Sequence, residues 1–241
     1  MKAVTTFSPK GYEEYAEIFL MTYVENMSLP LVAYVEEEPD FKHDLIEYRD
    51  IYGIPDVAMF ISHAEHLQRQ APKNYLYDAA KFSYKVFAQL DVFKESPKEE
   101  IFWFDADIVF LRPLSKWLLK GLLKDVCLAY LGRDTYTEAG FIGFDTAHKN
   151  FPMFFHHYED MYKKRRIFEL NFWTDCHAFD EARRGIKGRD LTQGKGMEHV
   201  FCKSPLAPYM DHLKGGRKKI GYSPEREQIH TANTDSRIQT A

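Results

Sequence analysis

Ile101-Phe102-Trp103-Phe104-Asp105-Ala106-Asp107-Ile108-Val109-Phe110-Leu111-Arg112-Pro113 is the stretch on which the reading of this chain turns. Ile101 to Phe104 is an unbroken apolar and aromatic run, the pattern of a β-strand buried on both faces in a helix-covered sheet. Asp105 and Asp107 then stand at the carboxyl end of that strand, where open α/β sheets collect ligand-binding groups. Once the chain bends, carboxylates at i and i+2 converge on one hard cation, normally Mg²⁺ or Mn²⁺ bridging to substrate phosphates. Burying two unpaired carboxylates beside a core strand is expensive, and a dication is one of the few things that offsets it. The tripeptide alone is common, and without its strand the plainer reading is a solvated loop cap.

The flanking segments fit the same architecture. Lys2 to Phe7 is a short β-prone run ended by Ser8-Pro9-Lys10-Gly11, and Tyr12 to Glu25 carries Tyr15, Ile18, Phe19, Thr22 and Tyr23 at helical spacing. Leu31 to Val35 reads as a second strand, closed by Glu36-Glu37-Glu38 and Pro39. Helices are expected over Lys42 to Tyr52 and from about Asn74 to Phe93. Strands alternating with helices imply an α/β fold with a largely parallel sheet.

With 241 residues, 45% apolar, 15% aromatic and 28% charged, the chain has the composition of a core-forming globular protein and excludes a disordered or fibrous one. No repeat or Gly/Ser linker divides it, so 1–241 reads as a single domain. Nothing approaches the roughly 20 apolar residues of a bilayer span, and the N-terminus lacks a secretory apolar stretch, so a cytoplasmic protein without stable membrane insertion is expected. The three cysteines, Cys127, Cys176 and Cys202, have no metal or redox spacing and read as free thiols. Residues 1–110 hold 10 Lys/Arg against 20 Asp/Glu, whereas 111–241 hold 22 against 16, which makes the back half the better partner for a polyanion.

A second element joins the first. Phe102 to Leu114 resembles the Asp-x-Asp segment of nucleotide-sugar glycosyltransferases with the GT-A fold. His212-Leu213-Lys214-Gly215-Gly216-Arg217-Lys218 fits the His-x-x-Gly-x-x-Lys motif of the retaining family that includes glycogenin and the lipooligosaccharide galactosyltransferases. The resemblance implies a Rossmann-like GT-A fold with a mixed, mainly parallel sheet flanked by helices. It implies a nucleotide-sugar half (1–115) and an acceptor half (116–241) carrying the C-terminal metal and diphosphate motif. It also implies Mn²⁺ (or Mg²⁺) on Asp105, Asp107 and His212, a UDP-sugar donor, Gly215 approaching the diphosphate and Lys218 neutralising it. Imidazole suits Mn²⁺ better than Mg²⁺, and glycine admits close contact that a side chain would block.

Further segments are similar in order. Val4-Thr5-Thr6-Phe7 with Tyr12 stands for the uracil and ribose site, with Glu36 or Glu37 as an acceptor for ribose or base donors. Lys81, with Lys85 one turn later, stands where the family places a basic residue near the sugar or diphosphate; a solvated helix face is the reading favoured for Lys85. Thr137-Glu138-Ala139-Gly140 is similar to the Asn-Ala-Gly segment, and Trp173-Thr174-Asp175-Cys176 occupies the Asp-Gln-Asp region, with Cys176 in place of the Gln. Asp175 or Glu138 is thus expected to stabilise the oxocarbenium-like sugar or orient the acceptor hydroxyl.

Lys163 to Lys219 contains 14 Lys/Arg against 7 Asp/Glu, interleaved with Phe168, Phe172, Trp173 and Phe179, as a surface that stacks an unpaired base would require. In size and charge the chain resembles bacteriophage glycosyltransferases that modify hydroxylated pyrimidines, so DNA carrying such a base is one expected acceptor. A lipooligosaccharide or other glycan is the alternative, though the polar tail His230 to Arg237 lends it no membrane-seeking character. A non-catalytic nucleic-acid-binding α/β module is the reading from a different class.

Overall fold

The computed structural model describes residues 1–192 and 199–226. The tail read above, His230 to Arg237, lies outside the described residues.

The decisive stretch forms strand β4 (Glu100–Phe104), whose side chains alternate between two cores. Ile101 and Trp103 pack on one face with Val4, and Phe102 and Phe104 pack on the other with Ala3 and Phe7. Around it the sheet runs in the order β3-β2-β1-β4-β7-β6-β8, with β1 (Lys2–Phe7), β2 (Leu31–Val35), β3 (Ile46–Asp50), β6 (Leu128–Leu131), β7 (Glu138–Asp145) and β8 (Arg189–Asp190). The pairs β1–β2, β1–β4, β2–β3 and β6–β8 are parallel, while β7 runs antiparallel between β4 and β6. Helices Glu17–Asn26, Ala79–Glu95, Phe151–Lys163 and Asp175–Ala182 cover the faces, and the central strands are buried on both sides as a parallel α/β sheet requires. The mixed, mainly parallel sheet agrees with the expectation from the sequence.

One expected element is different. Lys42 to Tyr52 contains no α-helix: Ile46–Asp50 is strand β3, followed by a single 3₁₀ turn, Ile51–Gly53. β3 extends the sheet beside β2 in register Leu31↔Ile46 to Val35↔Asp50, and Ile46 and Tyr48 pack under it. Two apolar residues two apart satisfy a strand as well as a helix, and the unpaired edge of β2 decides between them.

The second sheet is small and decisive for function. Strand β5 (Ile108–Phe110), just past the aspartates, pairs antiparallel with β9 (Met210–His212) in register Ile108↔His212. The Leu213 N–H donates to the Asp107 carbonyl at 2.9 Å, which locks together two segments distant in the chain.

Candidate active site

At the end of β4 the chain turns tightly, with the Ile108 N–H returning to the Asp105 carbonyl and the Asp105 N–H held by the Gly140 carbonyl of β7. The turn presents both carboxylates to a cavity of about 450 Å³. His212, carried there by β9, is 2% exposed; its Nε2 lies 2.9 Å from Asp107 Oδ1 and 3.8 Å from Asp105 Oδ2. Donor atoms of Asp105, Glu138 and His212 lie within 4.8 Å of one another, and Asp107 adds a carboxylate against His212 Nε2; carboxylates gathered on an imidazole are a donor set suited to Mn²⁺. Lys218 Nζ sits 3.0 Å from Asp107 Oδ2 and 3.8 Å from the centre of the Tyr15 ring. Burial alone would raise the Asp107 carboxyl, but His212 and Lys218 more than offset it and hold it well below the usual carboxylate range.

Lys85 is not a solvated residue. It stands on helix Ala79–Glu95 one turn before the buried Ala88 and Gln89, and Nζ lies 2.6 Å from both Asp105 Oδ1 and Asp175 Oδ2. It also donates to the Ala139 carbonyl at 3.0 Å. Burial pulls the ammonium's pKa down, yet Asp105 and Asp175 leave it above its ordinary value. Asp175 opens helix Asp175–Ala182, capped by Thr174, and its side chain is 3% exposed. Trp103 Nε1 donates to Asp105 Oδ1 at 2.7 Å, closing the floor of the cavity.

Thr6, Lys81, Glu138, Gly215 and Lys218 also line this cavity. Gly215 has φ +63°, a conformation glycine adopts without cost. A second cavity of about 420 Å³ shares Thr6, Tyr15, Lys81 and Lys218 with the first and is walled by Glu36, Glu14 and Tyr84. The two cavities adjoin across these shared residues. Glu36 accepts from the Tyr52 hydroxyl at 3.0 Å.

Two expected residues lie elsewhere. Thr5 is fully buried, on the opposite side of β1 from Thr6. Tyr12 packs on Phe7 and lines neither cavity, and Tyr15, three residues on, faces both. Strand alternation accounts for Thr5, since only one of two adjacent threonines can face the cavities.

The base-stacking surface is not formed as expected. Phe179 is fully buried against Tyr130, Phe144 and Phe154. Phe168 stacks on Phe60, and Trp173 packs edge-on to Tyr77 and Phe168. Many of the neighbouring cations have internal partners, among them Lys163 on Glu159, Lys164 on Asp160, Arg184 on Glu181 and Arg217 on Glu225. Phe168, Trp173 and Phe179 pack with the core of the sheet's helical layer, and Phe172 lies outside it against the rings of Tyr77 and His177; periodicity alone does not distinguish such packing from an exposed platform.

Reasoning from the sequence also missed Arg133, Lys214 and Tyr15. Lys85 had a usable signal: Ala88, Gln89 and Val92, three, four and seven residues on, are all apolar or amide and lie on one helical face. A second titratable group, His199, Cys202 and Asp211, lies behind the site. There the Asp211 carboxylate takes Ser223 N–H at 2.8 Å, Ser223 Oγ at 2.7 Å and His199 Nε2 at 3.3 Å. That network pins the segment after β9 from behind.

No protein-family model matches the sequence, and no curated protein matches it. Solved structures do. An active-site mutant of LgtC is similar at TM-score 0.53 and 12% identity, over 89% of this chain and 88% of that one. The apo structure of the bifunctional glycosyltransferase WbbM is similar at TM-score 0.52 and 12% identity, over 96% of this chain but 51% of its own. Mouse xyloside xylosyltransferase 1, also without ligand, aligns at 14% identity over 75% of this chain and 80% of that one, at TM-score 0.47. The seven-stranded mixed sheet, with an aspartate pair at the end of its central strand, gives this chain the GT-A fold of the glycosyltransferases.

Proposed function

We propose that the chain is a metal-dependent glycosyltransferase that moves a sugar from a UDP-sugar to a hydroxyl acceptor, with retention of configuration. One observation carries the reading: His212, far in sequence from Asp105 and Asp107, meets both beside lysines in a cavity that adjoins a second of about 420 Å³. The fold and the His-x-x-Gly-x-x-Lys resemblance support it.

The charges of the cavity explain why cation and donor belong together. Its lining holds four carboxylates (Asp105, Asp107, Glu138, Asp175) and four lysines (Lys81, Lys85, Lys214, Lys218). That balance leaves an added dication uncompensated until a doubly anionic diphosphate accompanies it. Asp105, Asp107 and His212 would hold Mn²⁺, or Mg²⁺, which supplies Lewis-acid stabilisation of the leaving diphosphate. Lys218 leaves Asp107 for the diphosphate, which approaches over Gly215 without meeting a side chain. Such preorganised contacts are worth about 2.7–4 kcal/mol each in the transition state. Thr6 and Glu36 serve the nucleoside, and Lys81 reaches the diphosphate or sugar. Asp175, held by Lys85, is the carboxylate assigned to the sugar as positive charge grows at the anomeric carbon. Residues 1–115 supply the nucleotide-sugar half of the site, and the acceptor half that follows also contributes His212, Gly215 and Lys218 to the cation and diphosphate.

A glycan acceptor is favoured over a hydroxylated DNA base, because Phe168, Trp173 and Phe179 pack internally and are not free to stack one. The experiment is a screen of UDP-sugar hydrolysis with and without Mn²⁺, alongside Asp107→Ala. Mn²⁺-dependent release of UDP, lost in the variant, is expected; unchanged turnover in Asp107→Ala excludes the assigned site. Calorimetry separates the binding-module reading, since UDP binding that requires Mn²⁺ belongs to the enzyme, and DNA binding without it belongs to the module.

A further inference from the structure

Glu138 was expected at the reacting sugar, yet its surroundings give it different work. Its side chain is 3% exposed at the start of β7, and its two oxygens face different neighbours. Oε2 is paired with the Arg133 guanidinium and lies 3.3 Å from Lys214 Nζ. Oε1 accepts the Gly140 N–H at 3.2 Å and lies 3.5 Å from His212 Nδ1. The other ring nitrogen, Nε2, faces Asp107 and Asp105.

The ring has little freedom to turn away. A Cβ on Gly140 would lie 2.5 Å from Cε1 and 2.7 Å from Nδ1 of His212, so the imidazole rests directly on the β7 backbone. Phe201 packs edge-on against the ring, with centroids 5.2 Å apart. A ligating histidine normally donates its second N–H to a carboxylate or carbonyl, which sets tautomer and ring orientation. Here a carboxylate oxygen, Glu138 Oε1, stands 3.5 Å from Nδ1, and Nε2 faces the aspartates.

We infer that Glu138 is a positioning residue for the cation site: its Oε1 accepts the Nδ1–H of His212 and so keeps the Nε2 lone pair for the divalent ion. The inference rests on the proposed function, in which His212 is a metal ligand. Arg133 and Lys214 act through Glu138 by occupying Oε2, so that only Oε1 is left for the ring. Glu138 does not touch the sugar, which leaves Asp175 as the carboxylate at the anomeric centre.

The discriminating variant is Glu138→Gln. Two cations demand an acceptor at the Oε2 position, so the new amide places its NH₂ towards the ring, donates to Nδ1 and stabilises the wrong tautomer. The assay titrates Mn²⁺ calorimetrically in the presence of UDP and records the ¹⁴N electron-spin-echo modulation that imidazole ligation imposes on bound Mn²⁺. Wild type should bind with nitrogen modulation, and Glu138→Gln should bind about 10–100-fold more weakly with that modulation diminished. Glu138→Asp keeps the charge beside Arg133 but withdraws it from the ring; it should weaken Mn²⁺ in the same sense and serves if the Gln variant fails to fold. Wild-type affinity and modulation in either folded variant would overturn the inference. Weakened Mn²⁺ with full nitrogen modulation would also overturn it, because Glu138 would then be a ligand itself. Failure of wild-type protein to bind Mn²⁺ with UDP would bring down the metal reading beneath it, a result distinct from both.

Discussion

Replacing Lys85 by Met tests the buried ion bridge of the site. The substitution roughly preserves volume but removes the ammonium that lies 2.6 Å from both Asp105 and Asp175, the latter carboxylate 3% exposed. Removing one partner of a buried pair typically costs about 3–5 kcal/mol, because the other charge stays behind unpaired. For a chain of this size that corresponds to a fall in Tm of roughly 6–20 °C. The pH dependence carries a second signature. Lys85 has a folded pKa above its ordinary value, so its stabilisation is complete below the unfolded value near 10.5 and is lost only as pH rises through the folded value. The difference between wild type and Lys85→Met should therefore stay flat from about pH 6 to 9.5. Thermal unfolding followed by circular dichroism across that range measures it. A loss under about 2 °C, or a gap that closes steadily over the same pH range, would refute the buried bridge and return Lys85 to the solvent.

Gly140→Ala should push the His212 ring off the β7 backbone, since the new Cβ would meet it at 2.5 Å; Mn²⁺-dependent UDP release should fall at least about tenfold, and an unaffected rate would show that the ring has room. All three thiols are pushed up by burial, Cys176 to about 12 and Cys127 and Cys202 to about 11, so they stay protonated at neutral pH. Titration with Ellman's reagent at about pH 8 should be slow in the native protein, accelerate about tenfold per pH unit towards pH 10, and reach three thiols only on unfolding; rapid labelling of all three in the native protein would contradict this. Phe179→Ala should cost about 3–5 kcal/mol of stability, as a cavity in the core does, and a variant that melts like wild type would return Phe179 to the surface.

How much of the site was legible follows from the range over which each residue acts. The strand Glu100–Phe104, the aspartates at its end and the motif from His212 to Lys218 could be read because each is a local pattern whose chemistry is complete within a few residues. The strand Ile46–Asp50 could not be told from a helix, since its partner edge, Leu31–Val35, lies outside any local window. Phe168, Trp173 and Phe179 misled for a related reason: basic residues beside aromatics look alike whether the rings cover a core or face water.

The amino-acid order by itself determined that this chain builds a two-faced α/β sheet with a carboxylate pair at its carboxyl end, because apolar runs and their breaks act through nearest neighbours along the chain. Only the tertiary structure decided what that pair meets. The register Ile108↔His212 brings in the imidazole, helix Ala79–Glu95 drives Lys85 between Asp105 and Asp175, and β7 sets Glu138 and Gly140 behind the ring. Those encounters join residues far apart in the chain, and their energies exist only once the backbone has closed the distance.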